Sequence, residues 1–241
     1  MTNTMERRLS PEILDELEPS DPRAVASRRD LQKVNAVMQN ARWLAGLARE
    51  RLESTRPIRV LDLGGGDGTF LLNFLSRFPK TRWPSRACLL DRGKSASKAT
   101  VSQFRAFGWE LDIVEADALE WLSQDGLERH DLVFANLFLH HFSDADLRRL
   151  LESASKITPL FLASEPRRSD LARMACRLLP LLGCNSITRH DAAVSVNAGF
   201  RGTEISSLWP LGPDWRVAEM TMGLFTHCFA ACREPQDGGP T

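Results

Sequence analysis

The stretch Ile-Arg-Val-Leu-Asp-Leu-Gly-Gly-Gly-Asp-Gly-Thr, residues 58–69, decides the fold of this chain. Its first half is apolar and contains β-branched residues, its second half is a glycine cluster, and Phe70, Phe74 and Phe78 then recur every four residues. This succession predicts a buried strand, a tight loop and a helix. Glycine suits the loop because the backbone can turn sharply and a bound molecule can approach it without meeting a Cβ. The free N–H groups at the start of the following helix favour a negatively charged group.

The spacing of the glycines separates two kinds of cofactor loop. A dinucleotide fingerprint, Gly-x-Gly-x-x-Gly counted from Gly64, would need its third glycine where Thr69 stands. The chain has Gly64, Gly66 and Gly68 instead, with Asp62 two residues before the first of them. This pattern resembles the first motif of the class I S-adenosylmethionine-dependent methyltransferases. A plain strand-to-helix turn without a ligand is the alternative, so the rest of the chain has to decide.

Length and charge exclude several classes of protein. The 241 residues suit one large domain, or one domain with an extension. The 31 basic and 31 acidic residues cancel, so no general attraction to nucleic acid or to an anionic membrane is expected. No apolar run is long enough to cross a bilayer, and no apolar signal-peptide core stands near the N-terminus, so a cytoplasmic location is expected.

The five cysteines do not form a disulfide or metal pattern. They are odd in number and scattered, which argues against a disulfide framework. Cys228 and Cys232 lie in a predicted strand, where four residues span about 13 Å, too far for the two thiols to share a metal. We therefore expect no metal site and interpret both residues as small buried apolar side chains.

The N-terminal part of the chain is predicted to become helical after a charged stretch. Residues 1–20 lack a long apolar period, so they are expected to be mobile or loosely docked. Apolar residues at helical spacing then cover about 22–53, as one long helix or as two with a break near Gln39. This extension either packs on the domain or also covers the substrate cleft. The expected division is a helical extension and cleft cover, a methyltransferase-like domain and a disordered tail, at residues 1–55, 56–233 and 234–241.

Two carboxylates follow strands where the resemblance implies cofactor contacts. Asp91 ends the second predicted strand about twenty residues beyond the glycine loop, where nucleotide-binding α/β folds place an acid against the ribose hydroxyls. A surface acid is the alternative there. The resemblance implies that Asp117 accepts a hydrogen bond from the exocyclic amine of adenine, although it could equally cap the next helix, and both can be true. The cofactor-binding residues expected are Asp62, Gly64, Gly65, Gly66, Gly68, Asp91, Asp117, Ala118 and Asn136.

Two histidines follow the fourth predicted strand, which ends at Asn136. Ligands of open α/β sheets bind beyond the carboxyl ends of the strands, so His140 and His141 are expected near the cleft. The step Leu-His-His at this place resembles many small-molecule methyltransferases. Deprotonating an acceptor hydroxyl needs a base of near-neutral pKa, and histidine suits that task. The candidate catalytic residues are His140, His141 and His190, in that order, with Glu165 after the fifth strand as an outside choice, and a structural role is the alternative for each.

The C-terminal half completes the predicted fold. Residues 169–182 form an amphipathic pattern that predicts a helix and a second wall of the cleft. The last two strands are predicted at 203–207 and 218–232, and the resemblance implies that they form an antiparallel hairpin at the edge of the sheet. The expected fold class is α/β: a Rossmann-like, doubly wound, mostly parallel seven-stranded sheet with an antiparallel edge strand and an N-terminal helical extension.

The resemblance implies a methyltransferase that uses S-adenosyl-L-methionine and acts on a small apolar or phenolic molecule, with O-methylation favoured. Amino-directed methylation of bases typically uses an Asn- or Asp-Pro-Pro-Tyr/Phe step, whereas Asn136 is followed by Leu-Phe-Leu and the chain has no tyrosine. The expected partner is a small-molecule acceptor, with no nucleic acid and no membrane span, and a homodimer is left open. Two rivals remain: a non-catalytic binding module and an NAD(P)-dependent oxidoreductase, against which Thr69 argues.

Overall fold

The fold is seen in a computed structural model that describes residues 5–18, 20–52, 56–78, 85–93, 96–210 and 212–234. Within these residues the strands are β1 (Arg59–Leu63), β2 (Ser85–Asp91), β3 (Trp109–Glu115), β4 (Leu132–Asn136), β5 (Leu160–Pro166), β6 (Trp215–Met222) and β7 (Thr226–Arg233). The helices are α1 (Ile13–Glu16), α2 (Pro22–Met38), α3 (Asn40–Arg49), α4 (Thr69–Leu75), α5 (Lys98–Ala106), α6 (Ala118–Leu122), α7 (Asp144–Ile157), α8 (Asp170–Ala175) and α9 (Ser186–Ala198). Short 3₁₀ turns cover Leu139–His141, Cys176–Leu182 and Ser206–Leu208.

One sheet organises the described residues, and its seven strands run in the order β3-β2-β1-β4-β5-β7-β6. The first five strands are parallel, while β7 is antiparallel to both β5 and β6. The predicted fold class, a doubly wound and mostly parallel sheet with antiparallel pairing at its edge, is confirmed. The strand order reverses between β1 and β4, and this is the point where such sheets bind ligands.

Helices cover both faces of the sheet, which explains why the central strands are apolar throughout. On one face α6 and α7 pack on the sheet around buried leucines such as Leu147 and Leu151. On the other face α3, α4 and α5 bury residues such as Leu44, Phe74 and Phe104. Parallel strands buried on both sides need continuous apolar runs instead of alternation.

The C-terminal hairpin differs from the prediction. Residues 203–207 do not form a strand but lie in turns that lead into the Ser206–Leu208 turn. The run 218–232, predicted as one long strand, contains both strands of the hairpin, because Gly223 adopts a left-handed φ of 62° and reverses the chain there. A left-handed backbone is the conformation that glycine adopts without steric cost.

The N-terminal extension is partly as predicted. Two helices, α2 and α3, meet at Gln39, which has a left-handed φ of 56° and forms the predicted break. The expectation of loose docking is wrong for residues 5–18, which lie against the domain. Arg7 donates to the carbonyls of Ala198 and Phe142 at 2.8 Å. The backbone N–H groups of Ile13 and Leu14 donate to the carboxylate of Asp191 at 2.9 Å.

Some expectations fall outside the described parts of the chain. The predicted disordered tail, 234–241, lies outside them except for Glu234, as do residues 1–4 and residue 19 of the predicted N-terminal extension. Among the residues that the structure does describe, no helix is both long and apolar enough to cross a membrane.

Candidate active site

A cleft of about 1230 Å³ opens beyond the carboxyl ends of β1, β2 and β4. Its lining includes the glycine loop after β1, the segment that carries His140 and His141, and residues of α2 and of the N-terminal segment. Pockets for a single small ligand commonly measure about 300–1,000 Å³. The cleft therefore has room for a cofactor and for a second small molecule.

The glycine loop is closely packed, and this accounts for its composition. Gly64, Gly66 and Gly68 have left-handed φ angles of 70°, 56° and 76°, which only glycine adopts readily. A Cβ on Gly64 would lie 2.1 Å from the ring of Phe138. A Cβ on Gly65 would lie 2.2 Å from Leu89 Cδ1. The loop can keep this shape only without side chains.

Asp62 places an unsatisfied carboxyl oxygen at the base of this loop. Its side chain is buried and lines the cleft. Within the described residues, Oδ2 of Asp62 has no hydrogen-bond partner. Burial, and then the negative charge of Asp91, raises the pKa of Asp62 well above its usual range. A ligand that placed a positively charged amine beside this oxygen would supply the missing hydrogen-bond partner and offset the cost of burying the negative charge.

Asp91, the last residue of β2, connects the loop after β1 to the loop after β2 by hydrogen bonds. Its Oδ2 accepts the backbone N–H of Gly66, and its Oδ1 accepts that of Gly93, both at 2.9 Å. Each carboxylate oxygen can accept a second hydrogen bond, so Asp91 stays available to hydroxyl groups in the cleft that it lines.

Asp117 caps α6, as one of its two predicted roles required. Its Oδ1 accepts the N–H of Leu119 at 2.8 Å and that of Glu120 at 3.1 Å. Its Oδ2 accepts from Nε of Arg92 at 2.9 Å. Burial raises the pKa of Asp117, but these partners outweigh burial and lower it. Asp117 and the neighbouring Ala118 both line the cleft.

Asn136, at the end of β4, is held by the helical extension. Its Oδ1 accepts from Nδ2 of Asn40 at 2.8 Å and from Oγ of Ser164 at 2.7 Å, and its Nδ2 donates to Oδ1 of Asn35 at 3.1 Å. The side chain lines the cleft, but its amide is already satisfied by protein groups. Its clearest structural effect is to join the sheet to α2 and α3.

His140 is fixed by the buried carboxylate of Glu165. Oε1 of Glu165 accepts the N–H groups of Phe138 and Leu139 at 3.0 and 2.9 Å, and Oε2 lies 2.7 Å from Nδ1 of His140. The N–H groups converge because Leu137 turns the chain with a left-handed φ of 52°, a conformation rare in a branched residue.

The charge of His140 is set by carboxylates on two sides. Its Nε2 lies 3.3 Å from Oε1 of Glu12, which also accepts from Oγ of Ser195. Burial lowers the pKa of His140, but the hydrogen bonds with Glu12 and Glu165 outweigh burial and raise the pKa to about 9. In this arrangement His140 is protonated at neutral pH.

His141 has the opposite charge state. Its ring lies against that of His140, with the ring centres 4.2 Å apart, and its Nδ1 lies 3.4 Å from Oδ2 of Asp15. Burial, and then the charge of His140, lowers the pKa of His141 below 6.5. Its side chain is 29% exposed and lines the cleft. His141 is therefore neutral at neutral pH and accessible to a ligand.

His190 does not join the other two histidines. It is absent from the described residues that line the cleft. Its side chain is 51% exposed, and its Nδ1 lies 2.9 Å from Oδ1 of the neighbouring Asp191. The structure thus places His190 on α9 outside the cleft lining.

Sequence reasoning missed the acidic residues that complete this site. Glu12 and Asp15 come from the segment expected to dock loosely, and they meet the histidines from the far end of the chain. Among the described residues, Glu12, His140 and His141 are also the one set whose possible ligand atoms, all within 4.8 Å, could hold a metal ion. No local sequence pattern predicts either arrangement, because the acidic residues and the histidines are more than 120 positions apart in the sequence.

The comparisons with known proteins concern the central part of the chain. Residues 60–158 match the family model described as a methyltransferase domain. This range contains the glycine loop, Asp91, Asp117 and the histidine pair. No curated protein sequence matches the chain.

Solved structures share the fold at low sequence identity. An O-methyltransferase family protein from Burkholderia thailandensis is similar with a TM-score of 0.55 and 21% identity, over 89% of this chain and 61% of that one. The mitomycin 7-O-methyltransferase has a TM-score of 0.54 at 16% identity, over 91% and 60%. A magnesium protoporphyrin IX methyltransferase from Synechocystis with bound SAH has a TM-score of 0.51 at 11% identity, over 82% and 83%.

The chain spans about three fifths of the length of the first two of these proteins. At such identities the likeness establishes the fold. The match over residues 60–158 shows a methyltransferase domain in this part of the chain, and S-adenosylmethionine is the cofactor that such a domain implies.

Proposed function

We propose that this protein transfers the methyl group of S-adenosylmethionine to a hydroxyl oxygen of a small apolar molecule. One observation carries the proposal: a single cleft joins the glycine loop, which suits the cofactor, to a neutral and accessible histidine, which suits proton removal. The structural likeness to O-methyltransferases favours oxygen as the methylated atom.

The residues that we assign to the cofactor fit its chemistry. Oδ2 of Asp62 lacks a partner and suits the amino group of the methionine part. Asp91 suits the ribose hydroxyls, and Asp117 with Ala118 suits the adenine. The glycines Gly64, Gly65, Gly66 and Gly68 let the backbone of the loop approach the cofactor closely. Asn136 lines the cleft and holds the helical extension in place through Asn35 and Asn40.

We assign the general base to His141 in preference to His140. A base has to be unprotonated before it acts. His140 is charged and has carboxylates at both ring nitrogens, whereas His141 is neutral. Asp15 beside Nδ1 of His141 then stabilises the ring once it has gained a proton. His140 acts as a positioning residue that fixes the neighbouring ring, and we assign no catalytic part to His190.

S-adenosylmethionine supplies a methyl group already activated by a positively charged sulfur. His141 takes the hydroxyl proton on the ring nitrogen that Asp15 does not contact. Asp62, Asp91 and Asp117 would hold the cofactor, whose positively charged sulfur would give up the methyl group to the acceptor oxygen and leave as the neutral thioether of S-adenosylhomocysteine. The protein contributes orientation of the two reactants and exclusion of water.

The N-terminal extension, residues 1–55, acts in this proposal as a cleft cover for the domain at 56–233. Leu9, Leu14 and Leu17 line the cleft from this side, so the acceptor meets an apolar wall. The acceptor is a free small molecule in this proposal, and a homodimer is an arrangement that sedimentation analysis would test.

Calorimetric titration with S-adenosylmethionine, S-adenosylhomocysteine and NAD tests the proposal. We expect micromolar binding of the first two, lost in Asp91→Ala and kept in Asp125→Ala, an exposed acid outside the cleft lining. Binding of NAD alone would point to an oxidoreductase. Cofactor binding without methyl transfer to any of a panel of phenols would favour a non-catalytic module.

A further inference from the structure

The segment formed by α8 and the Cys176–Leu182 turn directs its apolar side chains outward. Every residue of this segment is described, and Ala172 is the one that is buried. The exposed fractions are 48% for Leu171, 62% for Met174, 59% for Leu178, 82% for Leu181 and 42% for Leu182. Apolar residues spaced by three and four along a helix normally face the core. Here they form a surface, and clustered exposed apolar residues mark binding sites.

Part of this surface belongs to the cleft. Leu178, Leu181 and Leu182 line the cleft, as does Val37 of α2, which is 54% exposed. Nζ of Lys33 lies 3.5 Å from the carbonyl of Leu182, so α2 passes beside the turn here. We call these four residues, Val37, Leu178, Leu181 and Leu182, the apolar mouth.

The two parts of the acceptor space differ in polarity. Around the histidine pair the lining includes the polar side chains of Glu12, Asp15 and Ser195 beside apolar ones such as Phe138. At the apolar mouth it is hydrocarbon. A molecule that matched both parts would have a polar head and an apolar extension. Burying a polar group without a partner costs free energy, and so does leaving apolar surface exposed to water.

We infer that the acceptor carries an extended hydrocarbon chain that leaves the cleft across the apolar mouth. This inference rests on the proposed function, since it places the acceptor's hydroxyl at His141. The chain contributes binding and selectivity, and the mouth residues are specificity-determining and take no part in methyl transfer.

The dependence of acceptor affinity on chain length follows from the free energy of burying hydrocarbon. Each buried methylene raises affinity about fourfold. Lengthening an alkyl chain therefore strengthens binding stepwise for as long as the added carbons contact the mouth. Serine in place of Leu178 and Leu181 removes apolar contact only from the outer carbons.

Calorimetry with 4-ethylphenol, 4-butylphenol and 4-hexylphenol, in the presence of saturating S-adenosylhomocysteine, tests the inference. We expect the dissociation constant of the unaltered protein to fall about fourfold per methylene. In the Leu178→Ser, Leu181→Ser double variant, the gain in affinity from butylphenol to hexylphenol should drop below about twofold per methylene. The affinity for ethylphenol should be unchanged. The matched control is Leu224→Ser, at a leucine that is 58% exposed and outside the cleft lining.

Three outcomes would overturn the inference: no binding of the phenols, an affinity independent of chain length, or an undiminished gain in the double variant. A fourth is a dimer in sedimentation that the double variant converts to a monomer, because a second copy would then cover the mouth. Binding of S-adenosylhomocysteine, measured first in the same samples, reports on the proposed function separately. If it binds and the phenols do not, the inference alone fails.

Discussion

Nδ1 of His140 lies 2.7 Å from the buried carboxylate of Glu165, which also accepts two backbone N–H groups of the loop after β4. One side chain at the end of β5 thus fixes both the path of the neighbouring loop and the orientation of the imidazole. The remaining ring nitrogen of His140 faces Glu12 of the N-terminal segment. Glu165, at the end of β5, therefore fixes the orientation of His140. Glu165 and Glu12 together keep His140 positively charged.

Glu165→Gln should destabilise the protein by about 3 kcal/mol, because it removes the buried negative charge that faces a protonated His140. Urea unfolding measures the loss. Glu152→Gln, an exposed position on α7, is the control and should change stability by less than about 0.5 kcal/mol. Equal losses in the two variants would contradict a buried ion pair.

The pH profile distinguishes the two candidate bases. A base at His141, which faces His140, Glu12 and Asp15, must be neutral, so kcat/KM should be lost only as pH falls below about 6.5, because burial and the His140 charge lower its pKa. If His140 were the base, activity would rise as pH passes its pKa of about 9. Rates measured from pH 5 to 10 separate these results.

Stability should also depend on the charge of His140. Its pKa in the folded protein is raised to about 9 from an ordinary value of 6.5. The contribution of its partners Glu12 and Glu165 is therefore complete below pH 6.5 and is lost progressively as pH rises through about 9. The free energy of unfolding, measured in urea at pH 7 and pH 9.5, should fall across this range, and the fall should disappear in His140→Asn.

Gly65→Ala should weaken binding of S-adenosylhomocysteine about tenfold, because the added Cβ would overlap Leu89 and force the loop to shift. The control is Gly46→Ala on α3, where a Cβ would meet nothing within 4 Å. That change should raise stability by about 1 kcal/mol through helix propensity. Calorimetry and thermal unfolding of both variants provide the comparison, and unaltered binding in Gly65→Ala would be inconsistent with a tight loop.

Methyl transfer should survive treatment with EDTA, although Glu12, His140 and His141 have metal-ligand spacing. The ring nitrogens of His140 already pair with carboxylates, and the proposed mechanism needs His141 free to take a proton. The test is the rate with and without chelator. Loss of activity that zinc restores would replace the base at His141 with a metal-dependent reaction.

The strand, glycine loop and helix at the start of the sheet were predictable because their signals are local. A strand, a glycine cluster and a helical period follow one another within 21 residues, from Ile58 to Phe78. A side chain would overlap Phe138 at Gly64 and Leu89 at Gly65, so the glycines at these positions report directly on close packing of the loop. The acids after β2 and β3 lie at spacings that the parallel sheet dictates.

The acceptor half was only partly predictable because it is assembled over long distances. Glu12 meets His140 across 128 positions of sequence, through a polar stretch without apolar periodicity. The proposed preference for His141 over His140 reverses the order expected from the sequence, because the charge of each ring depends on neighbouring carboxylates that are distant in sequence. The hairpin was mispredicted because the glycine at 223 interrupts a β pattern only briefly, and turn position is a weak signal in a long apolar run.

The left-handed corner at Gln39 has a consequence for how such proteins diversify. Before it, α2 contributes Val37 to the wall that an acceptor would touch; after it, α3 is embedded in the core, and Asn40 bonds to both Asn136 and Thr226. Upstream of the corner, α2 reaches the sheet through Asn35, and the N-terminal segment reaches the histidine pair through Glu12 and Asp15. An exchange of acceptor selectivity between relatives would therefore have to keep these three side chains, while Val37 and the other residues of α2 that line the cleft could vary.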